Sequence, residues 1–152
     1  MSDGAIPAAT LIVVRDRSAG PPELLIVERA EGMAFAAGAL VFPGGRIDAS
    51  DRALAGELGI DPAAVAAVRE TVEETAVPVG LSPVPSQAAA LELQQALTAD
   101  EPFRALLDRA GLSIDAAALT PFARWVPKFH GFAGSTPCSS SPAAPMANGR
   151  RT

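Results

Sequence analysis

The stretch from Asp61 to Val77 constrains the fold of this 152-residue chain more than any other. Asp61 can accept hydrogen bonds from the free N–H groups at a helix start, and Pro62 suits the first helical position. The pattern continues to Val77, and the helix should end before Pro78. At about 100° per residue, one face collects three branched apolar residues, Val65, Val68 and Val72. We therefore predict an amphipathic helix whose valine face packs on a sheet.

The other side of this helix carries three carboxylates. Glu70, Glu73 and Glu74 are spaced i, i+3 and i+4, and Arg69 lies four residues before Glu73 and can pair with it. Like charges at this spacing repel by about 0.2–0.5 kcal/mol, and the helix dipole disfavours anions in the last turn. A solvated acidic face is one interpretation. A bound hard divalent cation is the other, because carboxylate oxygens that bind it no longer repel each other.

Three short segments before the helix have strand character, and they cover residues 10–14, 23–29 and 39–42. A turn containing Gly20 and two prolines separates the first two segments, so we predict a hairpin. Phe42 is followed by Pro43, Gly44 and Gly45, and the two glycines would let the backbone approach the helix and a ligand closely.

Two further helices are predicted after the acidic helix, over residues 87–97 and 102–110, with Asp100 as a cap and Gly111 as a stop. Residues 119–126 return to strand character. Strands and helices in this order indicate one α/β domain.

The composition excludes several classes of protein. A net charge of −5 opposes nucleic-acid binding, which needs a clustered basic face. No apolar stretch approaches the roughly 20 residues of a membrane span, and no secretory signal is visible. The single cysteine, Cys138, forms no internal disulfide and fits a reducing compartment. We therefore expect a cytoplasmic protein.

The acidic helix and the glycine loop together resemble the sequence box of the Nudix hydrolases. The matching pattern is Gly45, five residues, Asp51, and then Arg69-Glu70-Thr-Val-Glu73-Glu74-Thr-Ala76-Val77. Three positions depart from the family: Asp51 replaces a glutamate, Ala76 replaces a glycine, and Thr71 fills a position that is usually bulkier. The spacer between Asp51 and Arg69 has 17 residues instead of seven.

The long spacer is similar to that of a Nudix branch that includes coenzyme A diphosphatases. This branch also carries a segment like residues 39–45 and a helical insert. The resemblance implies an α/β fold of the Nudix type, with a mixed β-sheet between α-helices. It implies a domain over residues 1–127, with the helical insert at about 82–118.

The family implies hydrolysis of a pyrophosphate bond in a nucleoside diphosphate linked to another moiety, with coenzyme A or an acyl derivative among the candidates. The cofactor would be Mg²⁺ or Mn²⁺, and Glu70, Glu73 and Glu74 would be its ligands, with one of them assisting deprotonation of the attacking water. Arg69 would orient these carboxylates. The residues expected to contact or shape the site of the substrate phosphates are Arg29, Gly44, Gly45 and Arg46. Asp51 has two interpretations, action through a water molecule or capping within a loop.

Residues 128–152 lack any hydrophobic period and are rich in Ser, Pro, Ala and Gly, so we expect a disordered tail. In the branch that the chain resembles, a strand like Phe-Asp-Thr-Leu-Phe-Phe-Ile-Ala occupies this place. Codons for that strand, read one base later, encode residues 135–142 of this chain. We therefore hypothesise a frameshift near residues 128–134, which would remove the C-terminal strand and helix. An exposed sheet edge would then favour dimers or aggregates.

Two alternatives to the enzyme remain open at this stage. One is a Nudix-like remnant without catalysis, which binds a nucleotide or nothing. The other is a small helical interaction protein whose acidic face binds a basic partner; it predicts no change of thermal stability with Mg²⁺.

Overall fold

The computed structural model describes residues 6–28 and 38–125. Within these ranges the chain forms short strands and four α-helices. The strands are Ala8–Thr10 (β1), Val14–Arg15 (β2), Glu23–Leu24 (β3), Val27–Glu28 (β4), Leu40–Val41 (β5), Gly44–Arg46 (β6), Leu81–Ser82 (β7) and Ser113–Ile114 (β8). The helices are Ala49–Leu58 (α1), Pro62–Thr75 (α2), Gln87–Thr98 (α3) and Phe103–Ala110 (α4), and a 3₁₀ turn covers Ala116–Ala118.

All strand pairs in the described residues are antiparallel: β1 with β6, β2 with β3, β4 with β5 and β7 with β8. The predicted hairpin is confirmed, since Val14 lies opposite Leu24. The predicted strands were too long, because each is interrupted after two or three residues. The small antiparallel pairs and the four helices give a mixed α/β fold, consistent with the Nudix fold.

Helix α2 begins and ends where the sequence predicts. The Asp61 carboxylate accepts a hydrogen bond from the N–H of Ala63 at 2.8 Å, and Pro62 is the first helical residue. The helix ends at Thr75, three residues before Pro78.

The prediction that the valine face of α2 packs on a sheet is right only in part, because helices cover most of this face. The three valines are fully buried in a cluster that contains one strand residue, Leu81 of β7, and leucines of the other helices: Leu54 of α1, Leu93 and Leu97 of α3, and Leu106 and Leu107 of α4. The sheet side of α2 is formed by Ala66 and Ala67, which pack against Ala9 of β1. Alanines suit this side because their small side chains let a helix lie close to a strand.

Helix α1 was missed by the sequence analysis. Its buried residues are Asp51, Leu54 and Ala55, a set that includes a charged residue and so gives little apolar periodicity. Gly59 ends it in the left-handed conformation, at φ 66°.

The helices α3 and α4 are confirmed, with one correction at their caps. Ser86 caps α3, accepting a hydrogen bond from the N–H of Ala89. Asp100 is not a cap; it lies in the turn between the two helices at φ 60°, and Pro102 occupies the N-cap position of α4. Gly111 ends α4 as predicted.

The predicted strand at 119–126 was also wrong in its described part. Residues 119–125 contain no strand; Phe122 and Trp125 are largely exposed. A strand instead forms earlier, where Ser113–Ile114 pairs with Leu81–Ser82.

The described residues from Pro7 to Leu119 form one compact unit. Residues 120–125 belong to a second unit, and their described backbone is irregular. In the part of the chain that the structure describes, no helix is both long and apolar enough to cross a membrane. The tail at 128–152, with its proposed frameshift, lies outside the described residues.

Ala76 gives a prediction about stability. It ends α2 at φ 55°, in the left-handed region that disfavours side chains with a Cβ atom. We expect Ala76→Gly to raise the free energy of unfolding by about 0.5–1 kcal/mol. Ala99→Gly is the matched control, because Ala99 ends α3 at φ −88° and has no such strain to relieve. Urea denaturation of both variants would contradict this account if Ala76→Gly stabilised no more than the control.

Candidate active site

The acidic side of α2 lies directly against β6. The N–H of Gly44 donates a hydrogen bond to Oε2 of Glu74 at 3.0 Å. The Glu70 carboxylate occupies the space where a Cβ atom on residue 45 would lie, so Gly45 is needed for this contact. The predicted close approach of the Gly44–Gly45 backbone to the helix is therefore present.

Arg69 holds three carboxylates together, and its Nη2 lies 3.7 Å from a fourth, that of Asp48. Its Nε and Nη2 donate to the two oxygens of Asp51, each at 2.9 Å, which is the bidentate arrangement. Its Nη1 lies 2.9 Å from Oε1 of Glu70 and 3.3 Å from Oε2 of Glu73. The Asp51 hydrogen bond, more than any other contact, raises the pKa of the Arg69 guanidinium. The predicted pairing of Arg69 with Glu73 is confirmed, and the arginine holds Asp51 and Glu70 as well.

Asp51 lies in a helix and not in the loop that one of its two interpretations assumed. It is in the first turn of α1, its side chain is 1% exposed, and it accepts a hydrogen bond from the N–H of Asp48 at 2.9 Å. It therefore caps a helix rather than a loop, and its side chain is almost fully shielded from solvent. Asp51 anchors Arg69, and through Arg69 it fixes the position of the α2 carboxylates.

Two of the glutamates, Glu70 and Glu73, have pKa values raised by their surroundings. Burial raises the pKa of Glu70, and the nearby Arg69 charge opposes this effect only in part. Burial also raises the pKa of Glu73, and the positive charge of Arg69 lowers it by a smaller amount. Arg69 is a single positive charge shared among Asp51, Glu70 and Glu73, so the site has more negative than positive charge.

A cleft of about 1000 Å³ opens beside these groups. Its walls are formed by β1, β4, β5, β6 and the loop between β5 and β6. Helix α2 contributes Glu70 and Glu74. Gly44, Gly45 and Arg46 also line it, so these three predicted substrate residues share one cleft. Glu73 does not line it; its carboxylate lies with Arg69, and its carbonyl accepts a hydrogen bond from Gln94. Arg29 lies outside the described residues.

The chemistry of the lining suits a hard divalent cation, since carboxylate oxygens are the ligands that Mg²⁺ and Mn²⁺ take. Within residues 6–28 and 38–125, however, no three acidic, histidine or cysteine side chains converge closely enough to hold a metal ion. Glu70 and Glu74 are the α2 carboxylates that reach the cleft. They could supply some of the ligands of the cation, and water or substrate oxygens would fill its other coordination positions.

One cleft residue was missed by the sequence analysis. Glu28, on β4, lines the same cleft as Glu70 and Glu74. A single glutamate in an apolar strand carries no motif. The only available signal was the alternation of exposed and inward positions along residues 24–28, which places Glu28 on the exposed face.

The comparisons agree with this architecture. The chain is similar to a solved crystal structure of a NUDIX hydrolase from Alicyclobacillus acidocaldarius, with 32% sequence identity and a TM-score of 0.52. The match covers 76% of this chain and 58% of that one, so the chain spans less than two thirds of the similar protein. No protein-family model matches the chain, and no curated protein does.

Proposed function

We propose that this chain is a Nudix hydrolase that cleaves the pyrophosphate bond of a nucleoside diphosphate linked to another moiety. Coenzyme A and its acyl derivatives, ADP-ribose and NADH are members of that substrate class. The similarity to a solved Nudix hydrolase supports the assignment, and so does the arrangement of the α2 carboxylates around a cleft.

The observation that carries the proposal is the contact of β6 with α2. Gly45 leaves space for the Glu70 carboxylate, and the Gly44 N–H holds Glu74. Both carboxylates thereby lie at one cleft. A cleft that presents carboxylates needs a cation to receive a diphosphate, which is itself an anion.

Glu70 and Glu74 would hold Mg²⁺ or Mn²⁺ in this cleft, with Glu73 as the remaining proposed ligand. When bound, the cation would neutralise phosphate oxygens and lower the pKa of a water molecule. Arg69 keeps the Glu70 and Glu73 carboxylates in place through its own anchor on Asp51. Arg46, which lines the cleft, would supply a positive charge toward the phosphates. One glutamate of the trio would accept the proton of the attacking water.

A panel assay tests the proposal. The purified full chain is incubated with coenzyme A, NADH and ADP-ribose, with Mg²⁺ or Mn²⁺ and with a chelator, and the products are separated by chromatography. We expect two phosphate-containing halves from at least one substrate, in the presence of metal only. A folded protein that hydrolyses none of the three would contradict the enzyme assignment.

One observation favours the second candidate, a Nudix-like remnant that binds a nucleotide without hydrolysing it. Glu73 is turned toward Arg69 and does not line the cleft, so the trio is not assembled on one point. A remnant predicts Mg²⁺-dependent nucleotide binding in calorimetry with no product in the panel assay.

Gly45→Ala should lower activity while leaving the backbone of the fold in place. The added methyl group overlaps the Glu70 carboxylate, which is the movable end of a side chain, so the carboxylate is displaced while the backbone stays. We expect kcat/KM to fall about tenfold to a hundredfold, because misplacement by about 1 Å has effects of that size. Gly56→Ala is the control: nothing lies within 4 Å of the new methyl group, and α1 should gain about 0.5–1 kcal/mol. Equal activity of the two variants would show that the Gly45–Glu70 contact has no catalytic role.

A further inference from the structure

The β4–β5 pair also contributes to the wall of the cleft. Glu28 lies opposite Leu40 in the β4–β5 pair, so the two side chains project from the same face of the strands. Leu40 is 71% exposed, and Glu28 is exposed as well. Both line the cleft that Glu70 and Glu74 enter from α2.

Glu28 lies on a different pair of strands from the backbone that holds the α2 carboxylates. Its strand β4 pairs with β5, whereas Gly44, the partner of Glu74, lies on β6, which pairs with β1. Within the described residues, Glu28, Glu70 and Glu74 do not form a group that could hold a metal ion. With the phosphates at Glu70 and Glu74, Glu28 would face the part of the ligand that extends beyond them.

Within the part of the chain that the structure describes, Glu28 makes no side-chain contact that holds the fold. Among the described residues no side-chain hydrogen bond or ion pair involves its carboxylate, whereas Arg69 holds Glu70 and Glu73 and the Gly44 N–H holds Glu74. An exposed carboxylate next to an exposed apolar side chain matches the chemistry of a nucleoside. The carboxylate can accept hydrogen bonds from a ribose diol, and the leucine offers an apolar surface to the base.

Resting on the proposed function, we infer that Glu28 selects nucleoside diphosphates whose ribose hydroxyls are free. A phosphate on the 2′ or 3′ oxygen would bring one or two negative charges next to the Glu28 carboxylate and would remove a hydrogen-bond donor. The cleft thereby disfavours coenzyme A, which carries a ribose phosphate, relative to the same molecule without it.

The test uses pairs of substrates that differ by that one phosphate: coenzyme A with dephospho-coenzyme A, and NADPH with NADH. For the wild type, kcat/KM should be about tenfold higher for the member with a free ribose, since a phosphate about 5 Å from a carboxylate meets repulsion of that size. Glu28→Gln should bring the ratio close to one, and Glu28→Lys should invert it. Glu92→Gln, which removes the same charge from the exposed face of α3, should leave the ratio unchanged.

The outcomes distinguish this inference from the proposed function. Turnover with a ratio that Glu28→Gln and Glu28→Lys do not alter overturns the selection by Glu28 and leaves the hydrolase standing. If neither member of a pair is hydrolysed, the proposed function fails, and the ratio of the two Kd values in Mg²⁺, measured by calorimetry, decides the inference. Binding that is equal for both members, or absent for both, overturns it.

Discussion

Arg69→Ala should lower the free energy of unfolding by about 3–5 kcal/mol, which is the effect expected when one partner of a buried ion pair is removed. The Asp51 carboxylate, 1% exposed, would lose both of its bonds to the guanidinium and remain buried with one hydrogen bond from the Asp48 N–H. Glu70 and Glu73 would lose the same positive charge. Domains of this kind have only about 5–15 kcal/mol of stability, so the variant should be close to unfolding.

Two further variants make the Arg69 prediction decisive. Arg52→Ala removes an exposed arginine that makes one hydrogen bond, to the Ile47 carbonyl, and it should change stability by about 0.5 kcal/mol at most. Arg69→Lys keeps the positive charge but loses the planar guanidinium that binds both oxygens of Asp51. Its free energy of unfolding should therefore lie between those of the wild type and Arg69→Ala. Urea denaturation measures all three. A loss for Arg69→Ala no larger than that for Arg52→Ala would contradict the anchoring role of Asp51.

Glu70→Gln and Glu74→Gln should each lower kcat at least about a hundredfold, because a bound cation contributes several kcal/mol to the transition state. Both substitutions keep an oxygen that can accept the existing hydrogen bonds, so the fold should survive. The amide of Glu74→Gln can still accept from the Gly44 N–H. Circular dichroism and denaturation would establish that the variants are folded before their turnover is compared with that of Glu92→Gln. Activity within about threefold of wild type in both cases would exclude these carboxylates from the chemistry.

The acidic helix was predictable because its signals are local. Asp61 and Pro62 act on their own neighbours, and the i, i+3, i+4 spacing of the glutamates is a property of one helix. The pairing of Arg69 with Glu73 follows from the same geometry. For these residues the tertiary structure adds partners without changing the local conformation.

The features that were missed depend on partners elsewhere in the chain. Helix α1 buries Asp51 only because Arg69 arrives from α2, so no apolar period marks it. The valine face of α2 had the right period, but a period does not say whether a sheet or a set of helices will cover it. Residues 119–125 have strand-like composition, and a strand also needs a neighbour with free backbone groups. Glu28 is recognised as a site residue only from the tertiary structure, in which the paired strands β4 and β5 line the same cleft as Glu70 and Glu74.

Glu70 and Glu74, which reach the cleft from one helix, are proposed to give it its affinity for a divalent cation, with Glu73 as the remaining proposed ligand. Isothermal calorimetry of the folded full chain with Mn²⁺, and separately with Mg²⁺, tests it most directly. We expect saturable binding by the wild type and by Glu92→Gln, and at least about tenfold weaker binding by Glu70→Gln and Glu74→Gln. Heat changes that do not saturate, or binding that the glutamate substitutions leave intact, would contradict the claim.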